Sequence, residues 1–540
     1  MKRLQRLYRS KVSERELLSP DLARRVAAIS REMQRQVALL ITRKGRIAFV
    51  VVGDRSHIWI PDLGRVRLGT GRLKGLRCVH THLNGEPLSR EDVTDLVLLG
   101  LDLMVSMGVD EEGIPGALSV AHILPRNAEG EGWQVTDYPD MGRVDFDALS
   151  LISSLEDELA RAGKGGRALE SGERAVLVGV VQGPPRRARD SLQELRELAR
   201  SSGVDVRDVI VQQVKRPNPR FLMGKGKLSE IVLRCMQTGS NLVIFDNELT
   251  PTQVKSLTDV TELRIIDRSQ LILDIFARRA VTREGKIQVE LAQLKYLLPR
   301  LATKNTAMSR LTGGIGGRGP GETKLEVNRR RVRERIARLN RELKQIKRQR
   351  EGRRKLRGDR GLPVISIVGY TNAGKSTLLN ALTHSEVAVE NRLFATLDPS
   401  SRRLRFPRER EAIITDTVGF IRDLPEDLMD AFEATLEELH DADLLLHVVD
   451  AGSPRMEEQM ETVEGVLRDL GLDRIPTLLV LNKADLLEPG EAAEMAKNMR
   501  GVAISAIAPR TFSDLLSRIE QAIWLRSSSP GISTASRSAR

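Results

Sequence analysis

Gly369-Tyr370-Thr371-Asn372-Ala373-Gly374-Lys375-Ser376-Thr377 follows the apolar run Val364-Ile365-Ser366-Ile367-Val368 and leads into Leu378-Leu379. The pattern GxxxxGKS between a buried strand and a helix is a phosphate cradle. Its glycines let backbone N–H groups converge on phosphate oxygens. Lys375 adds a positive charge for the β- and γ-phosphates, and the Ser376 hydroxyl is a candidate Mg2+ ligand. Asn482-Lys483-Ala484-Asp485 begins 107 residues after Lys375, behind the apolar run 477–481. A carboxylate at Asp485 can accept from both N1–H and N2–H of guanine, a pair that adenine does not offer. That makes GTP rather than ATP the expected substrate.

Three further stretches fit between and after these two. Asp416-Thr417-Val418-Gly419-Phe420 follows the strand-like Ala412-Ile413-Ile414-Thr415. Asp416 is placed to hold Mg2+ through water, and the Gly419 N–H to meet the γ-phosphate. Phe394-Ala395-Thr396-Leu397-Asp398 falls where a γ-phosphate-sensing loop belongs, with Thr396 as the candidate second protein ligand of Mg2+. Ser505-Ala506, after Val502-Ala503-Ile504, fits the last loop, with the Ala506 N–H near guanine O6. Lys375, Thr396 and Gly419 are the candidate catalytic positions. Ras-type enzymes place a glutamine at the position of Phe420 to orient the attacking water. A phenyl ring cannot do so, which predicts slow hydrolysis unless a partner completes the site.

The chain has 540 residues, enough for three or four cores, and 40% of them are hydrophobic. Aromatics are only 3%, which argues against recognition of single strands by stacking. No apolar run reaches the ~18 residues of a membrane-spanning helix. Met1-Lys2-Arg3-Leu4 has no apolar stretch behind it, so no secretory signal is expected. Cys78 and Cys235 are the only cysteines and suit a reducing cytoplasm, with peripheral association as the one membrane contact left open. Net charge is +13, and residues 324–360 hold 17 Lys/Arg against 5 Asp/Glu, a net of +12. A field so concentrated attracts a polyanion, and nothing in it specifies DNA.

The expected architecture is α/β and multidomain. Residues 1–160 read as an α/β extension, with a hairpin at Lys44-Gly45 and a linker at 160–167. Residues 174–282 alternate strands and helices and read as a small parallel α/β domain. Residues 283–355 read as a helical hairpin. Ile287, Leu291, Leu294 and Leu298 form one seam, and Val332, Ile336, Leu339, Leu343 and Ile346 the other. The tip, Gly313-Gly314-Ile315-Gly316-Gly317-Arg318-Gly319-Pro320-Gly321, cannot be helical. A P-loop GTPase domain spans 363–525, and 526–540 reads as a disordered tail.

Residues 174–525 resemble the HflX family of ribosome-associated GTPases. The resemblance rests on Asn218-Pro219-Arg220-Phe221-Leu222-Met223-Gly224-Lys225-Gly226-Lys227, on the glycine tip with Gly321-Glu322-Thr323-Lys324-Leu325-Glu326, and on the stretches from Phe394 to Pro399 and Asp416 to Phe420. It implies a GTPase that binds the large ribosomal subunit and its RNA, splits or rescues stalled or idle ribosomes, and is a monomer away from them. Some members carry an extra domain after the GTPase domain, for which no room is expected here. Gly224-Lys225-Gly226-Lys227 reads better as an RNA-contacting loop or helix entry than as a second nucleotide site.

The extension carries Val79-His80-Thr81-His82 and then Ser89-Arg90-Glu91-Asp92. HxH followed by SxxD resembles the JAB/MPN zinc-peptidase motif, which makes His80, His82 and Asp92 candidate zinc ligands. The spacer is one residue short. Arg35-Gln36 stands where the acid–base glutamate belongs, with Glu32 an approximate substitute. The reading favours a degenerate domain that keeps the fold without activity, and so weighs against zinc. Three functions remain: GTP hydrolysis driving a switch on ribosomes, a GTP-dependent ribosome-assembly or RNA-remodelling factor, and a GTP-regulated zinc peptidase.

Overall fold

In the computed structural model, Gly45 takes φ 74° between β1 (Val37–Thr42) and β2 (Ile47–Val52), which pair antiparallel as the Lys44-Gly45 signal predicts. The structure describes residues 2–61, 63, 72–127, 131–164, 173–261, 263–301, 324–358, 362–383, 400–406, 410–417, 419–422, 437–488 and 490–525. These divide into two units, Met1–Arg268 and Ser269–Arg540. The glycine tip 313–321, Glu322, Thr323, the loop from Phe394 to Pro399, Val418 and the tail 526–540 lie outside the described residues.

In the first unit, α1 (Lys2–Leu7) and α2 (Pro20–Met33) precede the hairpin. Next come β3 (Leu76–His82), α3 (Arg90–Leu99), β4 (Leu103–Val109), β5 (Pro115–Ile123), β6 (Trp133–Tyr138) and α4 (Ala148–Lys164). The sheet order is β2-β1-β3-β4-β5-β6, and only β3 and β4 run parallel. A parallel pair needs a crossover, and α3 supplies it. Gly100, in the left-handed region at φ 61°, ends α3 and lets the apolar stretch beyond Leu96 change from helix to strand. Arg43 joins the hairpin to the rest by ion pairs to Asp102 and Glu156, both at 2.8 Å.

The second sheet comprises β7 (Arg174–Val181), β8 (Asp205–Gln213), β9 (Leu242–Phe245) and β10 (Arg264–Asp267) in the order β10-β9-β7-β8, all parallel. Its helices are α5 (Pro185–Ser201), α6 (Lys225–Thr238) and α7 (Pro251–Thr261). Buried Arg268 bonds Glu194 at 2.8 Å and Asp246 at 2.9 Å, tying α5 to the end of β9. Two findings differ from the sequence expectation. The residues expected as a linker begin inside α4, because Leu155 and Leu159 keep that helix packed almost to its end at Lys164. The two sheets also share one apolar core, which runs from Leu39 and Val105 through Leu96 and Ile152 to Ile231, Val243 and Phe245.

The second unit begins with α8 (Arg268–Arg279), whose first residue belongs to the first unit. Then α9 (Arg283–Leu301) packs against α10 (Lys324–Gly358). Ion pairs Glu290–Arg335 and Arg283–Glu342 fix an antiparallel register. Ile287, Leu291, Leu339 and Leu343 are the buried seam, flanked by Leu294, Ile336 and Ile346. Leu298 and Val332 are half-buried, on the side of the tip. Arg330, Arg331, Arg333, Arg338 and Arg341 lie exposed on the outer surface, as the seam pattern requires.

The third sheet has the order β12-β13-β11-β14-β15-β16. Its strands are β11 (Val364–Gly369), β12 (Ser400–Phe406), β13 (Arg410–Asp416), β14 (Leu444–Asp450), β15 (Thr477–Asn482) and β16 (Val502–Ala503). Only edge strand β12 runs antiparallel. Helices α11 (Lys375–Thr383), α12 (Met456–Asp469), α13 (Glu491–Asn498) and α14 (Phe512–Glu520) accompany it. The carboxyl ends of β11, β13, β14 and β15 lead into the motif loops, where ligands of open α/β sheets bind.

Candidate functional site

β11 hands the chain to the cradle at Gly369, and a Cβ there would lie 2.2 Å from Val448 O of β14. Asn372 and Gly374 take φ 63° and 93°, so the loop folds back over the start of α11. A Cβ on Gly374 would lie 2.2 Å from Asn482 Nδ2, so the loop and the guanine-reading segment touch where only glycine fits. Lys375, 6% exposed, donates to Gly369 O at 3.0 Å and Tyr370 O at 2.8 Å. Burial brings its pKa down to about 8, opposed by Asp416. His447 on β14 is also buried, and burial followed by the charge of Lys375 lowers it to about 4, so it is neutral at pH 7.

Ser376 Oγ donates to Asp416 Oδ2 at 2.7 Å, across the gap between α11 and the end of β13. These hard oxygen donors fit Mg2+, which favours a few protein oxygens and retains water. Thr417 Oγ1 donates to Ile367 O at 2.6 Å and holds the next turn against β11. A Cβ on Gly419 would meet Lys375 Nζ at 2.9 Å, so glycine is what lets this backbone approach the lysine. Phe420 is 3% exposed and locked to the cradle: its N–H donates to Gly369 O at 3.1 Å, and its O accepts from Thr371 N at 2.7 Å. Its ring is packed, not presented to solvent.

Asn482 is the buried tie of the base-reading side. Its Nδ2 donates to Ala373 O at 2.7 Å, and its Oδ1 accepts from Ala506 N at 2.9 Å. Three loops distant in sequence are thus joined through one amide. Ser505 Oγ donates to Asp485 Oδ1 at 2.5 Å, which orients the carboxylate. Lys483, at φ 62°, pairs with Asp450 at 2.7 Å. The sequence reading missed Asp450 and the tie made by Asn482. Asp450 had a signal, since it ends the run Leu444 to Val449 beside the cradle strand. The tie had none, because it is a contact across the fold.

In the first unit, His80 and His82 project from one face of β3, and Asp92 occupies the first turn of α3. Their ligand atoms all lie within 4.8 Å of one another. His80 Nε2 is 2.9 Å from His82 Nε2 and 3.3 Å from Asp92 Oδ1, and His82 Nε2 is 3.8 Å from Asp92 Oδ2. His82 Nδ1 is fixed on Glu86 O at 2.8 Å, and Ser89 Oγ donates to Asp92 Oδ2 at 2.6 Å. Burial, then the neighbouring His80, lowers the pKa of His82. Asp92 is held well below the usual carboxylate range: burial opposes, and the bonds to His80 and Ser89 prevail. Glu32 is engaged with Arg3 on the surface, and Gln36, 4% exposed, is an amide where an acid–base group was sought.

Residues 189–277, 279–357 and 364–483 match three family models, described as GTP-binding GTPase N-terminal, GTP-binding GTPase Middle Region and 50S ribosome-binding GTPase. A protein named GTPase HflX from Caldanaerobacter subterraneus subsp. tengcongensis is 50% identical over 352 residues, 65% of this chain and 81% of that protein. The Escherichia coli (strain K12) protein of the same name is 48% identical over 322 residues, 60% and 75% of the two chains. Among solved structures, a complex named SsGBP with GDP is 25% identical and covers 66% of this chain and 99% of its own, with a TM-score of 0.39.

Proposed function

Because this chain belongs to the HflX family of GTPases, binding GTP and hydrolysing it, we propose that it acts on the large ribosomal subunit. There it couples the GTP cycle to the splitting or rescue of stalled or idle ribosomes. The observation that carries this reading is the hairpin of α9 and α10. Its apolar seam faces inward, and exposed arginines line its outer surface. A basic ridge of this kind suits the phosphates of ribosomal RNA.

In this reading the cradle N–H groups and Lys375 hold the β- and γ-phosphates. Asp485, set by Ser505, takes the guanine edge, and the Ala506 N–H lies toward O6. Ser376, Thr396 and Asp416 (through water) hold Mg2+, which supplies neutralisation of charge between the phosphates. Gly419 N–H meets the γ-phosphate. Phe420, packed and fixed to Gly369, leaves the attacking water without a side-chain partner from its own position. Intrinsic turnover is therefore slow, and a partner completes the site. Single-turnover GTP hydrolysis, alone and with large ribosomal subunits, tests this. Acceleration by the subunit is expected, and fast hydrolysis by the protein alone would overturn it.

A second reading concerns the extension, and its motivating observation is the spacing of two buried histidines and a half-buried aspartate. Two ligands of an ideal tetrahedral zinc at about 2.05 Å lie roughly 3.3 Å apart. His80 Nε2 and His82 Nε2 stand 2.9 Å apart, and with one Asp92 oxygen the three ligand atoms all lie within 4.8 Å of one another, a spread that small side-chain shifts bring to that value. The sequence weighed against zinc, and this proximity favours it. We propose that His80, His82 and Asp92 bind one zinc ion, without peptidase activity, since Gln36 offers no acid–base group.

A further inference from the structure

Asp92 lies on α3, and α3 is also one of the elements through which the extension grips α6. We propose that zinc on His80, His82 and Asp92 is a clamp: it pins the first turn of α3 to β3 and thereby steadies α6 and the basic loop at its start. This rests on the zinc reading above.

Two of the three ligands belong to β3 and one to α3, so an ion there is a cross-link between strand and helix. Asp92 is already the third residue of a capping box with Ser89, which makes it part of the nucleus of α3. One turn on, Leu96 and Val97 share a buried cluster with Leu228, Ile231 and Val232 of α6. Farther along α6, Gln237 Nε2 donates to Leu124 O at 3.0 Å. A Cβ on Gly132 would overlap Leu233 Cδ2, at 2.1 Å. α6 is therefore gripped at several points by the extension.

Gly224 caps α6 without a side-chain hydrogen bond, and Leu222 just before it sits at φ 66°. The preceding loop exposes Lys215, Arg216 and Arg220, and the first residue of α6, Lys225, is exposed beside them. The loop is held by its own bonds, from Arg220 N and Phe221 N to Asn218 Oδ1, and by the bridge between Asn218 and Leu222. Phe221, Leu222 and Met223, just before α6, are buried in the same cluster as Leu96 and Val97 of α3, so the place of the basic loop depends on the layer that α3 helps to form.

The test uses the full chain, freed of metal by chelation and dialysed against zinc chloride, with metal content by mass spectrometry and hydrogen exchange by peptide. One zinc per wild-type chain and none in His80→Ala is expected. Amides of α3 and α6 that exchange only when α3 leaves β3 should slow together, by up to about 100-fold at free zinc 100 times the dissociation constant. The wild-type comparison with and without zinc needs no variant, and His82→Gln serves if His80→Ala does not fold. Binding of zinc with slowing confined to α3 overturns the clamp and leaves the zinc reading standing. Failure to bind zinc overturns both.

Discussion

Asn482→Asp keeps the volume of a side chain that is 1% exposed and keeps the oxygen that accepts from Ala506 N. It removes only the donor to Ala373 O and puts an acidic oxygen 2.7 Å from that carbonyl. An ionised carboxylate there is repelled. A protonated one can donate and restore the bond. Protonating a group of ordinary pKa about 3.9 at pH 7 costs roughly 4 kcal/mol, at 1.36 kcal/mol per unit. That cost is the ceiling on the damage, about 1000-fold in GDP or GTP affinity. It should shrink by about tenfold for each unit of acidification, because the acid form becomes cheaper. Fluorescent-nucleotide titration between pH 7.5 and pH 5.5, approximate bounds chosen to straddle this window, checks it. Asn482→Ala should be weak at every pH. If Asn482→Asp binds within threefold of wild type at pH 7, or shows no recovery beyond that of wild type on acidification, the tie between the three loops does not organise the site.

Asp485→Asn replaces the acceptor of two guanine N–H groups with an amide. GTP affinity should fall by about 100-fold, since bonds to a charged group are worth roughly 1.5–3 kcal/mol, while xanthosine triphosphate, with a carbonyl at position 2, should bind better than to wild type; competition titration compares them. Lys375 is charged below about pH 8 and neutral above it, its value lowered from the ordinary 10.5, so phosphate binding must take up a proton above pH 8. Calorimetry should show affinity falling by about tenfold per unit from pH 8 toward the pKa in the complex, and a flat profile over that range would show that the lysine is not the phosphate cation. Leu339→Ala, at a position 1% exposed in the hairpin seam, should cost about 2–5 kcal/mol locally and speed hydrogen exchange in α9 while leaving nucleotide affinity unchanged.

The candidate nucleotide site can be read as motifs because its residues are contiguous in short loops, most of them behind an apolar strand. The hairpin seam was legible because Ile287, Leu291, Leu339 and Leu343 keep a helical period. What sequence did not show depends on contacts between distant segments. The extension reads as a separate domain because residues 160–167 read as a linker, yet its core runs on into Ile231 and Phe245. A signal for that existed: Leu228, Ile231, Val232, Leu233 and Cys235 bury more than one face of α6, as a helix between two layers must. His80, His82 and Asp92 were found by motif, but a motif does not give separations. The pleat of β3 and the capping box at Ser89 set those.

Sucrose-gradient sedimentation of assembled ribosomes with this protein and GTP, or a non-hydrolysable analogue, addresses the central claim most directly. The account predicts loss of the assembled peak with either nucleotide, with the protein migrating on the large subunit, and no loss with GDP. An assembled peak unchanged by GTP, with the protein found only on incomplete subunits, would contradict it and favour a role in ribosome assembly.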